Sequence, residues 1–130
     1  MNEYSPDYTA GETGMERFIV FGKKSNFIGR QVAETERAKG ARRKPVVFEV
    51  DALDADVIAY EPVWINGAVR GFCTSGGYSH YAQKSIAMAL VDTEYVNENL
   101  EAEIEILGDM CRARRITKTL FDPDGVRMRR

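Results

Sequence analysis

Apolar and polar residues alternate most regularly in the second half of the chain, with the period of two that belongs to strands. Over residues 85–91, Ser85, Ala87 and Ala89 fall on one face and Ile86, Met88 and Leu90 on the other. A strand apolar on both faces suits a small closed barrel with a tapering interior. Residues 101–107 place Glu101, Glu103 and Glu105 outward and Ala102, Ile104 and Ile106 inward. Residues 46–50, Val-Val-Phe-Glu-Val, read as another strand. Asn66-Gly67 predicts a type I′ hairpin, because that turn needs positive φ at both central residues. Such a turn sets Trp64 opposite Val69. The run Thr74-Ser75-Gly76-Gly77-Tyr78 reads as a glycine-rich loop where a side chain would clash. If Gly108-Asp109 is the next turn, Glu105 falls opposite Arg112 and Glu103 opposite Arg114. A last strand is expected over residues 116–121, followed by an Asp122-Pro123-Asp124-Gly125 turn.

The first 42 residues follow a different pattern. Residues 1–16 are polar and rich in turn formers. Residues 17–21, Arg-Phe-Ile-Val-Phe, predict a short strand that needs a pairing partner. Ser25 or Asn26 can cap a helix that starts near Phe27, carries a thin stripe of Phe27, Ile28 and Val32, and stops at Gly40. A basic run, Arg42-Arg43-Lys44, leads into the strand over 46–50, and an acidic connector covers residues 52–60. The expected fold is mainly β: a small antiparallel six-stranded β-barrel preceded by a strand and a helix.

Composition narrows the function classes. A chain of 130 residues with net charge -2 offers no electrostatic reason to expect nucleic acid as a partner. No apolar run approaches the roughly 18 residues of a spanning helix, so no membrane partner is expected. The polar start is neither a signal nor a transit peptide, and the expected location is cytoplasmic. Cys73 and Cys111 lack metal-site spacing and read as free thiols, with a 73–111 disulfide as the alternative.

Catalytic chemistry is sparse. His80 is the single histidine, and no HExxH or Cys/His cluster accompanies it, so no metal site is expected. The TSGGY run leads into a strand and lacks the GK[ST] ending of a P-loop. Trp64 reads as core or barrel-mouth packing. Arg43 and Lys44 have the chemistry to bind a carboxylate or phosphate, or simply to be solvated. The residues by themselves therefore stop at a small β-barrel module, free-standing for binding or assembly, or part of something larger.

Three stretches resemble the C-terminal part of the glycine-cleavage T-protein (aminomethyltransferase) superfamily. They are Thr9-Ala10-Gly11-Glu12-Thr13-Gly14-Met15 with Arg17-Phe18; Asn26-Phe27-Ile28-Gly29-Arg30; and Glu61-Pro62-Val63-Trp64 with Thr74-Ser75-Gly76-Gly77-Tyr78 and Gln83-Lys84-Ser85. The Trp-x-Asn-Gly hairpin, and Ala82-Gln83 where T-proteins often have Leu-Gly, are closer to the dimethylglycine and sarcosine dehydrogenase branch. The resemblance implies a division into residues 1–42, the end of an incomplete folate-binding domain, and residues 43–130, the C-terminal barrel. It implies an enzyme that passes a one-carbon unit from an amine to tetrahydrofolate, with an upstream folate-binding domain and possible FAD in a further upstream domain. The family's catalytic aspartate has no counterpart here, so this chain alone is expected to be inactive and carries no catalytic residue. Glu12 matches the glutamate that binds the pteridine ring, although the family's usual Pro-x-Glu-Ala-Gly is here Ala10-Gly11-Glu12-Thr13-Gly14. Arg43 or Lys44 matches the basic position near the folate tail. A homo-oligomer is a further expectation, because an unpaired strand over 17–21 invites association.

Overall fold

Short β-branched and apolar runs at period two form six strands, and each buries its alternate residues against the others. The computed structural model describes residues 3–129. The strands are β1 (Arg43–Val50), β2 (Pro62–Ile65), β3 (Ala68–Ser79), β4 (Lys84–Asp92), β5 (Glu101–Ile106) and β6 (Asp109–Ile116). They close into an antiparallel barrel in the order β1-β4-β3-β2-β5-β6. Closure comes from β1, which pairs with β4 along its length and with β6 over Val47–Val50. A closed sheet has no free edge along which other chains can add.

Inward positions make one core: Val46, Phe48 and Val50 of β1, Val63 and Ile65 of β2, Ala87, Ala89 and Val91 of β4, and Ile104 and Ile106 of β5. The small Ala87 and Ala89 of β4 lie beside the larger Phe48 and Val46 of β1, an alternation that lets a narrow barrel fill. Both cysteines are free and buried, as the sequence suggested. Burial, together with the Glu61 charge, pushes the Cys73 thiol up to about 12.

The predicted type I′ turn forms, with φ of 53° at Asn66 and 74° at Gly67, and Trp64 lies opposite Val69. The outward carboxylates of β5 are as expected, but their register is not. The β5–β6 turn is Leu107-Gly108, so Glu103 faces Arg112 and Glu101 faces Arg114. Leu107 accepts positive φ because the Glu61 carboxylate takes its N–H at 3.1 Å.

Other expectations change. The TSGGY run is not a loop but the second half of β3, with a bulge between Cys73 and Ser75. Its clash reading holds: a Cβ on Gly76 would lie 2.6 Å from Val57 Cβ and 2.7 Å from Val57 O. Residues 116–121 are not a strand, because β6 ends at Ile116. The 122–125 turn does form, closed by Gly125 N–H donating to Asp122 O at 2.9 Å. Trp64 is not in the core. It stands on the outer face and donates from its indole Nε1 to Glu105 Oε2 at 3.1 Å.

The helix α1 (Arg30–Lys39) begins three residues later than the Phe27 start expected from the sequence, at a left-handed Gly29 with no side-chain cap. Asn26 instead accepts the N–H of Phe27. Gly40 ends the helix as expected, donating to Glu36 O at 2.7 Å. Residues 17–21 are not a strand. Residues Glu16–Phe18 form a 3-10 turn, and Phe18 and Ile19 donate to Met15 and Glu16. Arg30 takes the carbonyls of Phe21 and Lys23. With no neighbouring strand among the described residues, the backbone satisfies itself locally.

Candidate functional site

The segment before α1 lies against the outside of the barrel. Leu90 points outward, between Pro45 and Phe72 across the ladder, yet it is only 1% exposed. The Tyr8 ring meets Phe72 at 6.1 Å, and a Cβ on Gly14 would meet Pro45 at 3.4 Å. Glu3 accepts a short hydrogen bond from the Ser75 hydroxyl. That bond holds the Glu3 carboxyl below its usual range.

Glu12 sits within this segment and is buried. Its backbone N–H donates to Thr9 Oγ1 at 3.1 Å, and its Oε2 accepts from Thr9 N–H at 3.2 Å. This is the reciprocal arrangement of a capping box. The Thr9 hydroxyl also donates to Glu36 of α1. Gly11 permits this contact, since a Cβ there would lie 2.6 Å from Glu36 Oε2 and 3.2 Å from Ala41 Cβ. One Glu12 oxygen, Oε1, has no hydrogen-bond partner among the described residues.

The two basic candidates behave differently because strand alternation separates them. Arg43 lies on the outer face of β1, half-buried, with its guanidinium 5.1 Å from the Phe72 ring and its Nε 3.5 Å from Asp92 Oδ1. Lys44 is on the other face and exposed at the barrel mouth. The Glu12 turn stands over Pro45, beside Arg43, but Glu12 forms no ion pair with either base among the described residues. His80 is exposed and packs edge-on against Tyr78 at 5.2 Å. The described residues hold no cluster of metal-ligating side chains.

Several polar anchors were not legible in the sequence. Glu61 is buried and takes the N–H groups of Ile58 (2.9 Å) and Leu107, tying the acidic connector to the β5–β6 turn. Asp56 does the same for Tyr78 N–H and the Ser85 hydroxyl, at 3.1 and 2.7 Å. Only their acidic character was visible, and solvated acids look the same in one dimension.

Residues 43–122 match the model of the glycine cleavage T-protein C-terminal barrel domain. The chain is 37% identical over 106 residues to mitochondrial dimethylglycine dehydrogenase of Homo sapiens, covering 82% of this chain and 12% of the relative. It is 32% identical over 119 residues to an aminomethyltransferase of Geobacillus, covering 92% of this chain and 32% of that protein. The chain therefore spans about a third or less of these relatives. The crystal structure of glycine cleavage system aminomethyltransferase T from Bartonella henselae superposes with a TM-score of 0.79, covering 89% of this chain and 33% of that one, at 22% identity. That structure shares the fold. By the barrel it builds and the relatives it matches, this chain belongs to the glycine cleavage T-protein family and carries its C-terminal barrel domain.

Proposed function

We propose that the chain is the C-terminal portion of a tetrahydrofolate-dependent aminomethyltransferase or dimethylglycine dehydrogenase-like enzyme. In this reading residues 1–42 complete a folate-binding domain, and the barrel (43–130) closes one side of the folate site. The observation that carries it is the apolar surface before the barrel. Phe18, Val20, Ile28 and Val32 are all exposed, and Ile28 completely so, beside a barrel whose own core is closed. The folate-binding domain, in the same protein or a partner subunit, covers that surface. A free-standing binding module would gain nothing from leaving it in water.

Glu12 accepts N–H groups of the pteridine through the oxygen that no described residue uses. A carboxylate suits this task because its charged oxygen accepts N–H donors strongly through more than one lone pair. Arg43, held by Phe72 and Asp92, faces the folate tail, with exposed Lys44 as the more mobile second charge. The catalytic carboxylate and any FAD belong to the covering domains. Buried free thiols fit a reducing, cytoplasmic setting.

The test is tetrahydrofolate titration of the complete protein. Glu12→Ala is expected to weaken binding by roughly tenfold or more, the size of one hydrogen bond to a charged group. Unchanged affinity sinks the Glu12 assignment.

A further inference from the structure

A groove of about 380 Å³ opens on the outside of the barrel where the starts of β1 and β2, the first half of β3 and the end of β4 meet. Arg42, Arg43 and Arg70 line it, against a single carboxylate, Asp92. This surplus of positive charge stands out in a chain of net charge -2. Arg70 has no ion pair or hydrogen bond among the described residues. Its guanidinium lies 4.8 Å from the Tyr95 ring, as Arg43 lies over Phe72. A guanidinium with its face on a ring keeps its edge N–H donors in a fixed fork, the geometry that matches an oxyanion. Tyr60 adds an exposed ring at the rim, 69% accessible, on a backbone held at φ 73° by its N–H bond to Cys73 O.

We propose that this groove binds a small, multiply charged oxyanion, with the Arg70 and Arg43 forks as ligands and Arg42 as a flexible third. The shared chemistry is a cluster of phosphate or carboxylate oxygens, and a planar group next to it would stack on Tyr60. The proposal shares Arg43 with the folate reading and rests on Arg70 and Arg42, which that reading does not use. Glu12→Ala tests that reading with tetrahydrofolate, and this groove is tested without it.

The experiment is calorimetric titration of the 130-residue chain with pyrophosphate and with tricarballylate at low salt. Saturable one-to-one binding of either anion is expected. Preference for pyrophosphate identifies phosphate as the recognised group, and preference for tricarballylate identifies carboxylate. Arg70→Ala is expected to weaken binding about tenfold or more, and Arg70→Lys to restore only part, since an ammonium lacks the fork. Lys118→Ala, remote from the groove, serves as the charge control and should leave affinity within twofold. If Arg70→Ala fails to unfold cooperatively, Arg42→Gln replaces it, with a smaller loss expected. Absence of saturable binding, or equal losses from Arg70→Ala and Lys118→Ala, overturns the proposal and leaves diffuse attraction of an adventitious ion only.

Discussion

The barrel and the segment before it answer the same problem in opposite ways. In the barrel, every strand has an apolar row, and closure lets the rows bury one another. In α1 no residue is buried, and Val32 on it and Ile28 just before it face solvent. The segment before α1 is instead fastened by individual links: Glu3 to Ser75, Tyr8 to Phe72, Thr9 to Glu36. Collective burial makes a cooperative unit, whereas separate polar ties hold position without much depth of stability. A surface built this way is suited to receive another domain, because its apolar side chains are already in place and uncovered.

The contrast can be broken by mutation. The largest effect belongs to Phe48→Ala, at a fully buried inward position of β1. A loss of about 3–5 kcal/mol in urea unfolding is expected. A loss below about 1 kcal/mol would mean the barrel core is not the stabilising unit. Next is Gly76→Ala, whose new methyl would meet Val57 Cβ at 2.6 Å and the Val57 carbonyl at 2.7 Å. It should cost roughly 1–3 kcal/mol. Combining it with Val57→Ala should not recover the loss, because alanine keeps both the Cβ and the carbonyl that clash.

A smaller effect is read by pH. The Cys73 thiol holds its proton to about 12 in the fold, against 9.0 when free. Stability is therefore unaffected by this group below pH 9.0 and falls as pH rises from there toward 12, because only the unfolded thiol ionises. Cys73→Ala should flatten that slope, and thiol reagents should label Cys73 only after unfolding. On the same strand as Cys73, Ser75 holds the Glu3 carboxyl below its ordinary range. That tie is present above the ordinary carboxylate range and is lost as pH falls through the lowered value. Ser75→Ala should remove this dependence, seen as faster amide exchange over residues 3–15. The smallest effect is at α1: Val32→Ala, at an exposed position, should change stability by less than about 0.5 kcal/mol. A larger loss would show that α1 is packed after all, and the two regions would no longer differ.

Legibility followed the range of the forces involved. The strand over 46–50, the inward and outward faces of β4 and β5, and the Asn66-Gly67 hairpin were plain, since each depends on neighbours one or two residues away. The failures share one cause. Residues 17–21 have the composition of a strand but no strand to pair with among the described residues. The glycines of residues 74–78 looked like a loop, whereas Gly76 is small because Val57 crosses over it. The helix start depended on Gly29 taking left-handed backbone, and Asn26 capped only its neighbour. Of the candidate site, Glu12 and Arg43 were singled out by family motif. The pairing of Glu12 with Thr9, and the difference between Arg43 and Lys44, emerged only from packing.

By itself, then, the sequence determined which residues alternate, where the tight hairpin turns, and which family the motifs resemble. Those features are written in adjacent positions, where covalent geometry and side-chain period act directly. The tertiary structure alone decided the closure of β1 onto β6, the register of β5 with β6, the seating of the N-terminal segment over Leu90, and the gathering of Arg42, Arg43 and Arg70 around one carboxylate. Each of these joins residues far apart in the chain, and only burial and pairing in three dimensions bring them together.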